Sequence, residues 1–471
     1  MKKRKSKLGK EKSSGLVSDQ AARVYSNTSQ ALPEDFELSD EILIAFDQIE
    51  HTRGHVFLTG EAGTGKTTFL KYFRQHTNKN FIVLAPTGIA AINIGGQTIH
   101  SFFNFPPKLI REKDIHALKR HHRLFMALEL VIIDEASMMR ADLLDSIDHS
   151  LRLNKANMLV PFGGVQMLLI GDMHQLPPII SKELTDHYPK MYESRYFFSS
   201  RAFRSVHFEH LWLTKIYRQK DRAFTALLNK IRANEIGPHD LKQLNSRVHK
   251  SCDNFEDCIT LTPTNAQANA INETKLAKLD SQVFEYTAKI LGDFDVPSYP
   301  NDVKLQLKVG AQVLMIKNDA EKRWVNGSIG EVVELKKDLV EVRIGEGVYD
   351  VEPIGWEKMK YTFDENENYI REEVIGRYEQ YPMKLAWAIT IHKSQGLTFD
   401  RMILDIGCGA FESGQTYVAI SRCRDFYQLY LKKPISMRDI RLDKKIKEFD
   451  SVMTGDSPPL REDLVLCSDE E

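Results

Sequence analysis

The chain has 471 residues, of which 42% are hydrophobic and 27% are charged. This length exceeds what one hydrophobic core usually holds, and the composition is that of an ordinary folded protein. The 64 Lys and Arg residues nearly balance the 65 Asp and Glu residues, so the net charge of −1 excludes a uniformly basic protein, and any nucleic acid must bind at a local basic surface.

The sequence also argues against a membrane-spanning protein and against a disulfide-rich protein. No apolar run approaches the roughly 18 residues of a membrane span. The five cysteines have neither CxxC nor Cys/His ligand spacing, which argues against a disulfide framework and against a zinc site. We expect an intracellular protein with reduced thiols.

Both ends of the chain have the polar, charged composition of flexible tails. Residues 1–35 are polar, carry seven Lys or Arg among the first twelve positions and show no apolar periodicity, which predicts a disordered basic tail. Residues 451–471 are rich in Asp and Glu, which predicts an acidic flexible tail.

The most informative segment lies at 56–73, where an apolar run leads through GEAGTGKT into a helix-forming sequence. Glycines permit the left-handed dihedral angles of a loop whose successive N–H groups surround phosphate oxygens. The segment therefore predicts a cradle for ATP or GTP, in which Lys66 reaches the β/γ-phosphates and Thr67 offers its hydroxyl to Mg²⁺. The predicted nucleotide contacts in this loop are Gly60, Ala62, Gly63, Thr64, Gly65, Lys66, Thr67 and Thr68. The alternative, a glycine-rich turn before an ordinary helix, does not account for the Lys-Thr pair in this order.

Short, continuously apolar runs indicate strands that are buried on both faces, as in a parallel α/β sheet. They form two sets, which predict two α/β domains in tandem, at 36–210 and 211–450. The runs are 81–87, 130–135 and 165–172 in the first set, and 258–264, 386–392, 401–407 and 426–434 in the second. Within the second set, residues 285–380 change to short strands and tight turns, which predicts an inserted small antiparallel barrel.

Four further groups fit a phosphoryl-transfer site. Asp134 and Glu135 end a buried strand, where Asp134 would hold Mg²⁺ and Glu135 would activate the attacking water. Gln175 follows a later strand and is placed to sense the γ-phosphate, with a polar strand-to-loop turn as the alternative. Arg218 and Arg422 stand in apolar contexts and resemble arginine fingers, with structural salt bridges as the alternative for each.

The segment 86–107 mixes small residues, hydroxyls and aromatics. Thr87, Thr98 and His100 are predicted to bond the phosphates of a single strand, and Phe102 to offer a stacking surface for a base. For any one Phe, burial in the core is the more common alternative. The basic stretch at 111–123 that follows is either a binding surface or a solvated helix face.

Seven motifs in order carry a resemblance to a known family. They are GEAGTGKT, APTGIAAINIGGQTIHSFF, VIIDEASM, FGGVQMLLIGDMHQLPP, LTKIYRQ, TIHKSQGLTFD and GQTYVAISRCR. Over about 38–435 the chain resembles the PIF (petite integration frequency) helicases, RecD-related DNA helicases of superfamily 1B. The resemblance implies an α/β fold of two tandem RecA-like P-loop NTPase domains, with an SH3-like β-barrel inserted in the second and a wedge-like insertion at about 103–125.

The resemblance also assigns the segment TIHKSQGLT. It places Gln395 and Gly396 on the nucleotide side, and His392, Lys393 and Ser394 on the DNA side. Two departures stand out. Ile42 occupies the place where the family usually has a glutamine that reads adenine, although Gln48 lies nearby, and leucines at 140–152 replace an aromatic-rich signature.

The resulting hypothesis is an ATP- and Mg²⁺-dependent 5′→3′ DNA helicase that acts in replication, repair or recombination. Its expected partners are single-stranded DNA and forked or tailed duplexes, without a membrane, and we expect a monomer. The expected location is the cytoplasm (nucleoid) of a prokaryote or the nucleus of a eukaryote. One alternative is an NTPase that remodels RNA or protein complexes without separating strands. A nucleotide-gated binding module is a second alternative, but it leaves Glu135, Arg218 and Arg422 without a role.

Overall fold

The computed structural model describes residues 36–180, 188–219, 221–249 and 258–453, together with the single residues Leu32 and Thr185. The predicted basic tail at 1–35 therefore lies outside the described residues, apart from Leu32. The predicted acidic tail at 451–471 also lies outside them, apart from residues 451–453, which form the last turn of a helix.

The first domain is built on a six-stranded parallel sheet in the strand order β3-β2-β4-β5-β1-β6. Its strands are β1 (His55–Gly60), β2 (Phe81–Ala85), β3 (Gln97–Thr98), β4 (Leu130–Ile133), β5 (Gln166–Ile170) and β6 (Phe208–Leu213). Its helices are α1 (Asp40–His51), α2 (Lys66–His76), α3 (Gly88–Asn93), α4 (Ile99–Phe103), α5 (His122–Ala127), α6 (Ala141–Asn154) and α7 (Arg201–Arg204). Every residue of β2, β4 and β5 is buried, which explains why these strands are apolar throughout.

The second domain begins after a linker at 214–219. Its first elements are α8 (Arg222–Ala233), α9 (Pro238–Asn245), β7 (Ile259–Thr262) and α10 (Asn265–Ala277). Helix α8 has a strongly one-sided apolar face, and Phe224, Leu227, Leu228 and Ile231 are buried on it at helical spacing. This face joins the core of the second domain.

The insertion follows α10 and is antiparallel, as predicted. Its strands are β8 (Phe284–Thr287), β9 (Lys289–Gly292), β10 (Lys304–Leu307), β11 (Gln312–Met315), β12 (Ile329–Leu335), β13 (Val340–Ile344), β14 (Gly347–Val351), β15 (Ile354–Asp364), β16 (Tyr369–Gln380) and β17 (Met383–Leu385). A five-stranded sheet has the order β14-β13-β12-β11-β17 and encloses a core of its own around Val313 and Val342.

The long hairpin β15–β16 extends from the insertion to the first domain, a contact that the sequence did not predict. The Tyr361 hydroxyl donates to the carbonyl of Val83 on β2 at 3.2 Å, and the Val83 N–H donates back to that hydroxyl at 2.9 Å. Glu372, which lies opposite Tyr361 on the other strand of the hairpin, pairs with the buried Arg74. The insertion is therefore tied to both domains.

The second sheet closes with the last strands of the chain. These elements are β18 (Ala388–Thr390), β19 (Met402–Leu404), α11 (Gln415–Ile420), β20 (Leu429–Leu431) and α12 (Lys444–Met453). The parallel sheet has the order β18-β7-β19-β20. Helix α12 then returns to the first domain, so the domain boundary predicted at 450 falls inside a helix that packs on the other domain. Within the described part of the chain, no helix has the length and apolarity needed to span a membrane.

Candidate active site

The loop between β1 and α2 has the geometry of an anion-binding cradle. Gly63 and Gly65 have φ angles of 89° and 87°, which a residue with a side chain rarely adopts. A Cβ at Gly63 would lie 2.6 Å from the Cβ of Arg218, so the linker between the domains packs directly on this loop. Helix α2 begins immediately after Gly65 and directs its positive end toward the cradle.

Lys66 lies within the loop that it is predicted to serve. Its Nζ donates to the carbonyl oxygens of Gly60 at 2.7 Å and Glu61 at 2.8 Å. Burial lowers the pKa of Lys66, while Asp172 and Glu135 oppose that shift. A phosphate would therefore compete with two backbone carbonyls for an ammonium group that is already in position.

Asp134 and Glu135 follow β4 and differ in backbone conformation. Glu135 has a φ of 53°, a left-handed conformation that costs energy for a residue other than glycine. Its N–H donates to the Asp134 carboxylate at 3.0 Å. Burial raises the pKa of both carboxyl groups, that of Asp134 to about 7. Such a pair is suited to a cation, whose charge would favour the ionised form.

The chemistry of these groups fits Mg²⁺. This ion is usually bound through one or two carboxylates together with phosphate oxygens and water. Asp134 supplies one carboxylate, and Thr67 is exposed on the first turn of α2. The described residues contain no cluster of three or more His, Cys, Asp or Glu side chains that would hold a metal without a nucleotide.

Asp172 contacts polar groups from both domains, a role that the sequence did not indicate. We call Asp172 together with Gln175, Arg232 and Tyr417 the hub. The side chain is buried and its carboxylate lies 3.1 Å from the Arg232 guanidinium of α8. Gln175 donates to the same carboxylate at 3.3 Å, and the Tyr417 hydroxyl lies 3.5 Å from it. The Tyr417 hydroxyl also accepts the N–H of Ala62 at 3.0 Å, so one tyrosine of the second domain contacts both the cradle and Asp172.

Arg218 and Arg422 meet in the cleft between the domains. Arg218 donates to the carbonyl oxygen of Ser421 at 3.3 Å, and Arg422 donates to the Ser421 hydroxyl at 2.9 Å. Burial, with a contribution from the charge of Arg422, lowers the pKa of Arg218 to about 9. Over the described ranges, neither guanidinium has a carboxylate within ion-pair distance. This argues against the salt-bridge alternative, because a structural arginine in so buried a position normally has an anionic partner.

The other two predicted nucleotide contacts, Gln395 and Gly396, directly precede Leu397, whose carbonyl oxygen accepts a hydrogen bond from Arg422 at 3.5 Å. Gln395 has a buried side-chain nitrogen with no hydrogen-bond partner among the described residues. Gly396 follows with a φ of 78°. Between the linker and α8 lies a cavity of about 570 Å³, which is within the range of small-molecule sites. Tyr217 lines this cavity, and its ring lies 3.7 Å from the position of a Cβ at Gly65.

Several side chains that were predicted to contact DNA instead make contacts within the protein. Thr87 and Thr98 accept the N–H groups of Ala90 and Ser101 and so cap α3 and α4. Phe102 is 7% exposed and packs in the core of the first domain. Burial in the core was the alternative to a stacking surface. These three side chains are therefore already engaged within the fold.

Among the remaining predicted DNA contacts, Ser394 is bound within the fold, whereas Lys393 faces solvent. Ser394 is fully buried, and its hydroxyl donates to the carbonyl of Ile391 at 2.8 Å. Burial lowers the pKa of His100 and of His392, which favours neutral rings at physiological pH. Lys393 is exposed. Of these residues, Lys393 is the one whose charged group faces solvent.

Comparison with known proteins agrees with this geometry. A family model described as PIF1-like helicase matches residues 37–237. The "ATP-dependent DNA helicase Pif1" of Bdellovibrio bacteriovorus is 32% identical over 429 residues, which cover 88% of this chain and 92% of that protein. The human "ATP-dependent DNA helicase PIF1" is 31% identical, but the chain spans only 60% of its length.

Solved structures give the same result. The structure of Bacteroides sp Pif1 in complex with ADP-AlF4 matches with a TM-score of 0.84 and 36% identity, covering 90% of this chain and 98% of that one. Bacteroides Pif1 bound to ssDNA matches with a TM-score of 0.66 and 37% identity over the same shares. The fold is therefore that of two tandem RecA-like domains, as the sequence predicted, and the chain belongs to the PIF1-like helicase family.

Proposed function

We propose that this protein is an ATP-dependent DNA helicase that translocates on single-stranded DNA and unwinds duplex DNA. The observation that carries the proposal is the composition of the cleft. Lys66 and Glu135 come from the first domain, Arg218 from the linker and Arg422 from the second domain. Because hydrolysis needs all of these groups close together, binding and release of nucleotide would change the spacing of the two domains.

Each group has a distinct proposed role in ATP hydrolysis. Lys66 and the N–H groups of the cradle bind the phosphates, while Thr67 and Asp134 would hold Mg²⁺, which would neutralise charge on the phosphate oxygens. Glu135 orients the attacking water and accepts its proton. Arg218 and Arg422 stabilise the charge that develops on the transferred phosphoryl group, and neither is held in an ion pair by a carboxylate of the described residues.

The nucleoside would occupy the cavity beside Tyr217. The cavity wall is attached to the cradle, because the Tyr217 N–H donates to the carbonyl of Gly63 at 2.9 Å. Ile42 is buried in the core of the first domain and does not present a polar group to a base. Gln395 and Gly396 complete the proposed nucleotide contacts, and Gln175, which donates to Asp172, is proposed to sense the γ-phosphate.

For DNA, we propose single-stranded and forked or tailed substrates, with 5′→3′ movement along the bound strand. The relatives named above are DNA helicases, and one solved structure contains ssDNA. The proposed DNA side comprises Thr87, Thr98, His100, Phe102, His392, Lys393 and Ser394, with Phe102 and Ser394 buried beneath the surface that would face the strand. We propose a monomer that acts where the DNA is, in the nucleoid or the nucleus.

The test is turnover and strand separation by the Lys66→Ala variant, with Lys242→Ala on the exposed surface of α9 as the matched control. We expect wild type and Lys242→Ala to hydrolyse ATP faster with single-stranded DNA and to unwind a duplex with a 5′ tail. Lys66→Ala should do neither while retaining DNA binding. DNA-stimulated hydrolysis without unwinding of any duplex would instead favour the remodelling NTPase. Efficient unwinding of a 3′-tailed duplex alone would overturn the proposed polarity.

A further inference from the structure

Helix α12 follows the last strand of the second sheet but packs on the first domain. Ile446 is fully buried and Phe449 is 2% exposed in the core of that domain. The Phe449 ring is stacked on that of Phe198, with centroids 4.3 Å apart and an angle of 10° between the planes. The chain therefore passes between the two domains twice, through the linker at 214–219 and again at 432–443.

The segment 432–443, which makes the second passage between the domains, is hydrogen-bonded to both of them. On the second domain, the N–H of Gly414 donates to the carbonyl of Arg441 at 3.0 Å, at the start of α11. On the first domain, the Tyr196 hydroxyl donates to the Asp443 carboxylate at 3.2 Å. Because α11 carries Tyr417, this segment is hydrogen-bonded to the start of a helix that also contacts the nucleotide cradle.

A polar contact extends from α12 to the cleft itself. The carboxylate of Asp450 lies 3.0 Å from Nε2 of His174, whose side chain is 5% exposed. The other ring nitrogen of His174 lies 3.6 Å from the Asp172 carboxylate, which also accepts the backbone N–H of His174 at 3.1 Å. His174 thus stands between α12 and the hub that holds Gln175 and Arg232.

We propose that α12 is a strap between the two domains and that His174 is a positioning residue, which links docking of α12 to the position of Asp172 in the nucleotide cleft. This proposal rests on the proposed ATPase function. When α12 is docked, the imidazole lies between two carboxylates and faces the same oxygen of Asp172 that Arg232 contacts. When α12 is released, Asp172 keeps Arg232 but loses this support.

Charge favours the docked state. Burial alone would lower the pKa of His174, but the nearby carboxylates of Asp172 and Asp450 outweigh burial and raise the pKa above its ordinary value, against the opposing charge of Arg232. His210 also faces Asp450, and burial lowers its pKa to about 4, so it is neutral at physiological pH. Because the pKa of His174 is raised in the folded state, its stabilisation is fully present below the unfolded value of about 6.5 and is lost as pH rises through the folded value.

The experiment measures hydrogen exchange of the α12 amides in the full chain, beside DNA-stimulated ATP turnover. The variants are Asp450→Asn, His174→Gln and the double variant, and Lys447→Ala on the exposed side of α12 is the matched control. We expect exchange in α12 to become roughly tenfold faster in each single variant, since each loses a charged hydrogen bond, with no further change in the double variant. Turnover at saturating ATP should fall several-fold in the same variants, while Lys447→Ala matches wild type.

A pH series separates positioning from a general loss of stability. In wild type, protection of α12 should decrease from pH 6 to pH 9 after correction for the intrinsic exchange rate at each pH, and Asp450→Asn should remove this dependence. Unchanged protection in both variants would overturn the strap, and loosened α12 with normal turnover would overturn the positioning role. A wild-type protein without DNA-stimulated ATPase would contradict the proposed function instead, and the exchange data would still report on the strap.

Discussion

The nucleotide side and the DNA side of the first domain use their motif residues in opposite ways. On the nucleotide side, Lys66, Glu135 and Arg422 converge as ionisable groups, of which Arg422 is buried and Lys66 and Glu135 are half-buried. On the DNA side, Thr87 and Thr98 cap helices and Phe102 fills the core. A motif residue can therefore serve the ligand or the backbone that presents it, and only the three-dimensional environment distinguishes the two.

The energetics of the two sides differ accordingly. Buried charges without ideal partners destabilise a fold, so their presence at one cleft indicates that they are retained for a ligand. A helix cap, in contrast, stabilises the fold by about 1 kcal/mol. Substitutions on the nucleotide side should therefore affect turnover with little effect on stability, whereas several on the DNA side should do the reverse.

The largest expected effect is on turnover after removal of an arginine from the cleft. Arg422→Ala and Arg218→Ala should each lower turnover by about 10³-fold or more, with a smaller loss of nucleotide affinity, because the guanidinium acts mainly on transition-state charge. Steady-state kinetics together with equilibrium nucleotide binding measures both quantities. Arg424→Ala, which removes an exposed arginine paired with Asp400, is the control. Turnover within a few-fold of wild type would make that arginine structural.

Glu135→Gln should have the next largest effect. The amide keeps the shape of the side chain but cannot accept a proton, so turnover should fall by about 10²- to 10⁴-fold while ATP still binds tightly. Rapid-quench measurements of a single turnover would locate the loss in the chemical step, and Glu209→Gln on the exposed edge of β6 is the matched control. Loss of ATP binding in Glu135→Gln would contradict the proposed role of Glu135 as a base.

The sequence signals for the nucleotide side are local, and the structure brings the predicted residues Lys66, Glu135, Arg218 and Arg422 to one cleft. The cradle, the strand that ends in Asp134 and the glycines before α2 all lie within short segments whose order is informative. Arg232, Tyr417 and the docking of α12 were missed because they depend on contacts between residues far apart in the chain. An arginine near the end of an amphipathic helix has no signal that points to Asp172.

The DNA side shows a different limit of sequence reasoning. Thr87 and Thr98 each precede a short helical segment, and that position is itself a capping signal that competes with ligand binding. The hairpin β15–β16 was included in the predicted insertion, but its contact with β2 depends on Tyr361, whose neighbours in sequence give no indication of it.

A third prediction concerns stability on the DNA side. Phe102→Ala should lower the free energy of unfolding by about 3–5 kcal/mol, because it leaves a cavity among Phe103, Phe125 and Tyr361. Chemical denaturation measures the loss, and Phe102→Leu should recover most of it. If Phe102→Ala instead keeps normal stability and loses DNA affinity, Phe102 is a base-stacking surface and the contrast between the two sides fails.

The smallest expected effect is on the salt dependence of DNA affinity, which reports on a contact with DNA and not on the fold. Lys393 is exposed and directly follows His392 in a turn after β18, so its ammonium group is placed to contact a phosphate without any contribution to the core. Each phosphate contact on a single strand contributes about 0.7 to the slope of log affinity against log salt concentration. Lys393→Ala should therefore reduce that slope by about 0.7 and leave both the free energy of unfolding and DNA-independent ATP turnover unchanged. Lys278→Ala, at the exposed end of α10, should leave the slope as it is in wild type. If the slope is the same in wild type and Lys393→Ala, the DNA track does not pass this turn, and the DNA side of the second domain must be sought among lysines and arginines elsewhere.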